Sequence, residues 1–176
     1  MRYLYALIVV LSCFSCATIV HEFGHFIAVP KRLWSKCTVF LGSETLPSIR
    51  FGRVTVSILP FGGWCWSPDE MMSRAQRLRV IAGGATANFV VGAMFYGASY
   101  LLTGTIVCSQ PDMWASLAFI NGDPTPIKAS SLILSFVGYV NLCTGFFNLV
   151  PQKWKKNGPE SDGASLLREF SKNCCE

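Results

Sequence analysis

Histidine is nearly absent from this chain: two occur in 176 residues, at positions 21 and 25. Charge is sparse as well. Asp, Glu, Lys and Arg together make up 14%, where a soluble domain carries about a quarter. Beside 51% hydrophobic residues, that deficit points to a surface that faces lipid. There is no low-complexity tract, no internal repeat and no nucleic-acid motif, so repeat architectures and nucleic-acid partners drop out. The length suits one ordinary domain and not two. Eight cysteines would suit a disulfide scaffold, but they are scattered through apolar segments without even spacing, and most read as small apolar fillers.

What remains is organised by three apolar runs, at residues 3–29, 80–102 and 130–150. A span needs about 20 apolar residues at 1.5 Å each, and all three qualify. The basic residues then set orientation. Lys31, Arg32, Lys36, Arg50, Arg53, Arg74, Arg77 and Arg79 lie between the first two runs, only Lys128 between the second and third, and Lys153, Lys155, Lys156, Arg168 and Lys172 after the third. The positive-inside rule places the first connection and the C-terminal tail, 152–176, in the cytosol, with the N-terminus and the 104–129 loop outside. Arg2 followed by residues 3–11 also has the outline of a signal peptide, but cleavage near 12–16 would leave His21 and Glu22 at a free end with no span to hold them.

Both histidines fall in the first run, as His21-Glu22-Phe23-Gly24-His25. Residues four apart share a helix face, so both imidazoles can reach one ion. Zinc accepts neutral imidazole nitrogen and keeps a position for water when the protein supplies three ligands. Glu22, one residue round, can take a proton from that water and pass it to a leaving amine. A glutamate within an apolar span is expensive and needs a partner or a purpose, which argues against a chance polar cluster. The third ligand is less determined. The carboxylates are Glu44, Asp69, Glu70, Asp112, Asp123, Glu160, Asp162, Glu169 and Glu176. Topology removes Asp112 and Asp123, which fall on the far side. Asp162 follows the third span and precedes Gly163; it can be a ligand or the N-cap of a helix over 164–170.

Four separated stretches resemble the site-2 protease family of intramembrane metalloproteases. They are the HExGH at 21–25, Leu59-Pro60-Phe61-Gly62-Gly63-Trp64, the run from Ala82 to Phe89 containing Gly84 and Asn88, and Asn148-Leu149-Val150-Pro151 with Asp162-Gly163. They stand in the family's order and cover nearly the whole chain. The resemblance implies a three-helix catalytic core in a single intramembrane protease domain over 1–176, with one zinc held by His21, His25 and Asp162. It implies Glu22 as general base and Asn148 beside the metal, holding substrate or oxyanion. The chain departs from the family's pattern in three ways. Residues 152–161 separate the proline from the Asp-Gly pair more widely, which makes Glu160 the fallback ligand. Alanine stands at 85 where proline is common, and no length remains for accessory recognition domains.

Residues 35–66 form more than a linker. Arg53-Val54-Thr55-Val56-Ser57-Ile58 alternates polar with apolar, the period of a half-buried strand, and Gly42, Pro47 and Gly52 mark turns or bulges. The fold class expected is therefore a membrane all-α core of three transmembrane helices with a small interfacial β-sheet between the first and second spans. A helical substrate must unwind before its scissile carbonyl is exposed, and unpaired backbone in lipid is costly. A sheet edge can take up the unwound segment as an added strand, or the sheet can simply plug the helices. The resemblance favours the substrate role, with contacts at Val54, Val56, Gly62 and Gly63, and with Asn88 facing the cavity or bracing a neighbouring helix. Asn141 carries the same alternative without a motif. Cys13 and Cys16 read as packing. Trp66, Trp114 and Trp154 read as interface anchors, and Cys174 and Cys175 fit no standard lipidation signal.

Three functions compete. A zinc endopeptidase would cleave membrane-embedded or membrane-tethered proteins near the cytosolic face. An inactive relative would keep the fold, lose the metal and escort transmembrane helices. A small transporter would require more spans or repeats than this chain has. The partners expected are a transmembrane or tethered protein substrate and the lipid bilayer.

Overall fold

The computed structural model of the chain describes residues 2–104, 126–152 and 160–172. Four helices follow the chain order: α1 (Arg2–Ala28), α2 (Arg74–Thr103), α3 (Pro126–Leu149) and the short α4 (Asp162–Ser171). The first three contain stretches long and apolar enough to cross a membrane, at Leu7–Ala28, Arg74–Thr103 and Ser130–Leu149. Local chemistry sets their ends. Pro30 disfavours helical geometry at Val29 and closes α1. Ser73 and Gln76 form a reciprocal capping box that starts α2. The second helix thus begins six residues ahead of the apolar run at 80–102, and Arg74, Arg77 and Arg79 occupy its first turns. Proline opens α3, and Pro151 follows its end.

The α2 helix lies against both α1 and α3. Cys13 and Ala17 of α1 pack on Phe136 and Val140 of α3, so Cys13 is a buried filler as expected, while Cys16 is exposed. Toward one end of α2 and α3, Ser99 bonds the hydroxyls of Ser131 at 2.7 Å and Ser135 at 2.8 Å, small polar side chains that join helices where no water reaches.

Between α1 and α2 stand four short strands: β1 (Thr38–Leu41), β2 (Ser48–Phe51), β3 (Val54–Ser57) and β4 (Gly63–Trp66). Their order in the sheet is β2-β3-β1-β4. The β2–β3 hairpin turns at Gly52, β1 and β3 run parallel, and β4 returns antiparallel on β1 with Leu41 opposite Gly63. The sheet expected over 35–66 is therefore present, and Gly52 is a turn. Val29, Leu33, Cys37, Met72 and Val80 form one buried cluster that ties the sheet's entry to the end of α1 and the start of α2. The end of α1, the sheet, the start of α2, the end of α3 and all of α4 consequently gather at one end of the bundle. Trp66 is exposed there. Trp114, Trp154, Cys174, Cys175, Asp112, Asp123 and Glu176 lie outside the described residues.

Candidate metal centre

His21 and His25 lie on the last two turns of α1, stacked edge to face with ring centroids 4.7 Å apart. Both are buried. Each ring is held from behind by its Nδ1. His25 Nδ1 donates to the Val80 carbonyl at 2.8 Å. His21 Nδ1 meets Asn88 Oδ1 at 2.7 Å. The Asn88 carboxamide can face only one way, because its Nδ2 donates to Ala17 O at 3.0 Å and to Asn141 Oδ1 at 2.9 Å. Asn141 is oriented in turn by donating to Val137 O at 2.9 Å. A neutral imidazole carries one N–H, and in both rings it is spent on Nδ1. Both Nε2 atoms therefore present lone pairs.

Those lone pairs face each other and a carboxylate. The two Nε2 atoms are 3.2 Å apart; Asp162 places Oδ2 3.2 Å from His21 and Oδ1 3.5 Å from His25. Asp162 Oδ2 is buried without a hydrogen-bond donor, as expected when the neighbouring Nε2 has no proton to give. An Nε2 proton on His21 would satisfy its contact with Asp162 and leave the lone pair of His25 unmatched. A cation among the three satisfies all. Ligands about 2.0–2.1 Å from a tetrahedral zinc stand about 3.3 Å apart, close to the three separations observed. Among the described residues, His21, His25 and Asp162 form the group whose donor atoms converge in this way. The residues fit zinc.

The sequence left Asp162 between ligand and helix cap. Ser161 is the N-cap of α4, accepting from Ala164 N at 3.3 Å, and Asp162 is the first helical residue with its carboxylate turned to the histidines. The fallback, Glu160, is engaged elsewhere: it accepts from Ser165 Oγ at 2.9 Å and pairs with Arg168.

The backbone of α2 passes directly beneath the imidazoles. A Cβ on Gly84 would lie 2.5 Å from His25 Nε2 and 2.8 Å from His21 Nε2. Only glycine permits that approach. Glu22 is buried on the adjoining face of α1. It lies against Gly63 at the start of β4, where a Cβ would stand 3.0 Å from Glu22 Cγ. A cavity of ≈ 250 Å³ opens over these groups, with Asn148, Trp64 and Cys65 among its walls. Asn148 uses one amide hydrogen on Thr144 O at 2.9 Å. Burial, with the Glu22 carboxylate and Cys37 nearby, pushes the Cys65 thiol up to about 12, so it meets the cavity as a neutral wall.

The remaining site residues read from the sequence separate into two groups. Gly63 adjoins the cavity on the edge strand β4, and Gly62 precedes it, its carbonyl accepting from Gly42 N at 2.7 Å. Val54 and Val56 lie on β3, which is hydrogen-bonded to β2 on one side and β1 on the other. The open edge beside His21, Glu22 and His25 belongs to β4. Asn88 is fully buried behind His21, the bracing alternative of its two readings. Asn141 was the one member of this network without a motif; its amide in mid-span was the only trace in the sequence.

No curated protein matches the chain. The model of Peptidase family M50, a family of membrane metalloproteases that includes the site-2 proteases, matches residues 7–174, and with nearly its whole length covered the chain belongs to that family.

Proposed function

We propose that the protein is a zinc-dependent intramembrane endopeptidase that cleaves membrane-embedded or membrane-tethered proteins near the cytosolic face. The observation that carries this reading is the convergence of three lone-pair donors at 3.2, 3.2 and 3.5 Å, with the N–H of each imidazole already committed on the opposite side. Zinc held by His21, His25 and Asp162 would supply a Lewis acid that makes water a nucleophile near neutral pH. Glu22 takes the proton of that water and returns it to the departing amine. Asn148, across the cavity, has a second amide hydrogen for the oxygen that gains charge. The open edge of β4 supports strand addition: an unwound substrate segment would pair its backbone with residues 63–66 and run past Glu22. The excess of Lys and Arg between α1 and α2 and after α3 supports a cytosolic position for this end. An escort without metal would tolerate a displaced third ligand, and the seating of Asp162 against both histidines favours the enzyme.

Zinc per chain in purified protein tests the reading. About one zinc is expected in the wild type, lost or weakened in His21→Ala and Asp162→Ala. Glu22→Gln is expected to keep the metal and lose cleavage of a transmembrane substrate by about 10²–10⁴-fold or more. A folded wild type that takes up no zinc when it is supplied would refute the protease.

A further inference from the structure

The third ligand reaches the histidines by an unusual route. Residues 152–161 separate Pro151 from Asp162, so chain connection alone leaves the ligand's helix poorly placed. Two fastenings hold it. At its start, Ser161 Oγ donates to Val150 O at 2.7 Å and accepts from Gln152 N at 2.9 Å, and Gly163 lies on the Leu149 carbonyl, where a Cβ would overlap. At its far end, Glu169 is 4% exposed and carries the second fastening. Its Oε2 receives Arg77 Nε at 3.2 Å and Nη2 at 3.1 Å, its Oε1 receives Lys172, and its backbone carbonyl receives Arg74 Nη2 at 3.0 Å. Arg77 is itself braced by donating to Met72 O at 2.9 Å, and the Arg74 guanidinium lies 6.0 Å from the centre of the Phe170 ring.

The spacing is matched on the two helices. Asp162 and Glu169 are seven residues apart on α4; Gly84 and Arg77 are seven residues apart on α2. Seven residues at 100° fall 20° short of two full turns and advance about 10.5 Å. Each pair therefore occupies one face of its helix, and the two helices run in opposite senses through this contact. The metal ligands sit over Gly84 at one end of the shared face and the Glu169–Arg77 pair closes the other. A rotation of α4 that broke the ion pair would swing Asp162 off the histidines as well.

The geometry points to Glu169 and Arg77 as positioning residues for the third metal ligand: their ion pair sets the register and rotation of α4 on α2, and through it the place of Asp162. The inference rests on the metalloprotease reading and adds to it a distant determinant of zinc affinity. It makes the metal centre depend on two polar contacts at a membrane face, about two helical turns from the ion.

The test measures zinc dissociation constants of the full chain in detergent by competition with a chelator. Visible absorption of the cobalt-substituted protein reports ligand geometry, and melting of the metal-free protein reports fold. Glu169→Gln and Arg77→Gln are each expected to weaken zinc about ten- to hundredfold and to change the cobalt bands, although neither residue touches the ion. Arg77→Lys, which restores the charge, is expected to recover part of the loss. If Glu169→Gln does not accumulate as folded protein, Arg77→Gln, which leaves Glu169 its lysine partner, carries the same measurement. Wild-type zinc affinity and wild-type cobalt bands in the glutamine variants, with only melting lowered, would reduce the pair to a structural brace and overturn the proposal. Failure of Arg77→Lys to recover any affinity would also overturn it. A wild type without zinc would instead sink the protease reading, so the two failures are distinguishable.

Discussion

Removing the carboxamide behind His21 tests the metal centre without touching a ligand. In Asn88→Ala three hydrogen bonds disappear together: to His21 Nδ1 at 2.7 Å, from Nδ2 to Ala17 O at 3.0 Å and from Nδ2 to Asn141 Oδ1 at 2.9 Å. Such bonds are worth about 1 kcal/mol each in soluble proteins and about 0.6 kcal/mol on average between membrane helices. The variant should therefore lose about 2–3 kcal/mol of stability in its zinc-free form. Water cannot replace the amide easily, since Asn88 is 0% exposed. The effect on zinc has a separate origin. Without an acceptor at Nδ1, the His21 ring can rotate or move its proton to Nε2, the atom that must be bare to bind metal. Zinc affinity should fall about ten- to hundredfold, which is about 1.4–2.7 kcal/mol. Asn141→Ala should cost less, because Asn88 keeps its oxygen on His21 and its second hydrogen bond to Ala17. Adding it to Asn88→Ala should cost little more, because the two side chains share a bond. Chelator competition gives the affinities and denaturation in detergent gives the stabilities. A folded Asn88→Ala that binds zinc as tightly as the wild type would refute the claim that the amide fixes the tautomer.

Gly84→Ala should abolish zinc binding or weaken it severely, because the added methyl would stand 2.5 Å from His25 Nε2; elemental analysis of the purified variant checks this. Lys172 and Arg77 hold the Glu169 carboxyl below the usual carboxylate range. A group depressed in the folded state contributes stability that is present above its unfolded value, near 4.5, and lost as pH falls through its folded value. Melting temperature should therefore drop in acid, and the acid-dependent part of that drop should shrink in Glu169→Gln, as thermal unfolding across pH 3–7 would show.

The sequence carried the parts of this architecture that are local in the chain. The spans were readable from apolar length, and His21, Glu22 and His25 from their spacing on a single helix. A half-buried strand at 53–58 was readable from alternation, with Gly52 as a turn or bulge before it; the hairpin that pairs it with β2 was not. The other pairing partners were not readable either, because they depend on contacts between distant segments. Val54 and Val56 read as an edge because alternation says that a strand is half buried, not which neighbours it has; the parallel pairing with β1 puts β3 inside the sheet. The two readings of Asp162 could not be separated without the position of α4, which depends on Ser161, Glu169 and Arg77. Asn88 stood between two readings, and its hydrogen bonds to three different partners decide for the one that faces away from the cavity.

The order in which the three residues of the proposed zinc site are made follows from the placement of Asp162 beyond the third span. A ribosome delivers His21 and His25 with the first helix, and Asp162 only after α2 and α3 have been synthesised. Chains generally fold from the N-terminal side during synthesis. Until α4 is made, the nascent polypeptide would thus hold the histidine pair with no carboxylate to close the proposed site. On the proposed reading, proteolytic competence would arise only once α4 has been made and has docked. A chain cut short at the third span would then lack the carboxylate and would be inert.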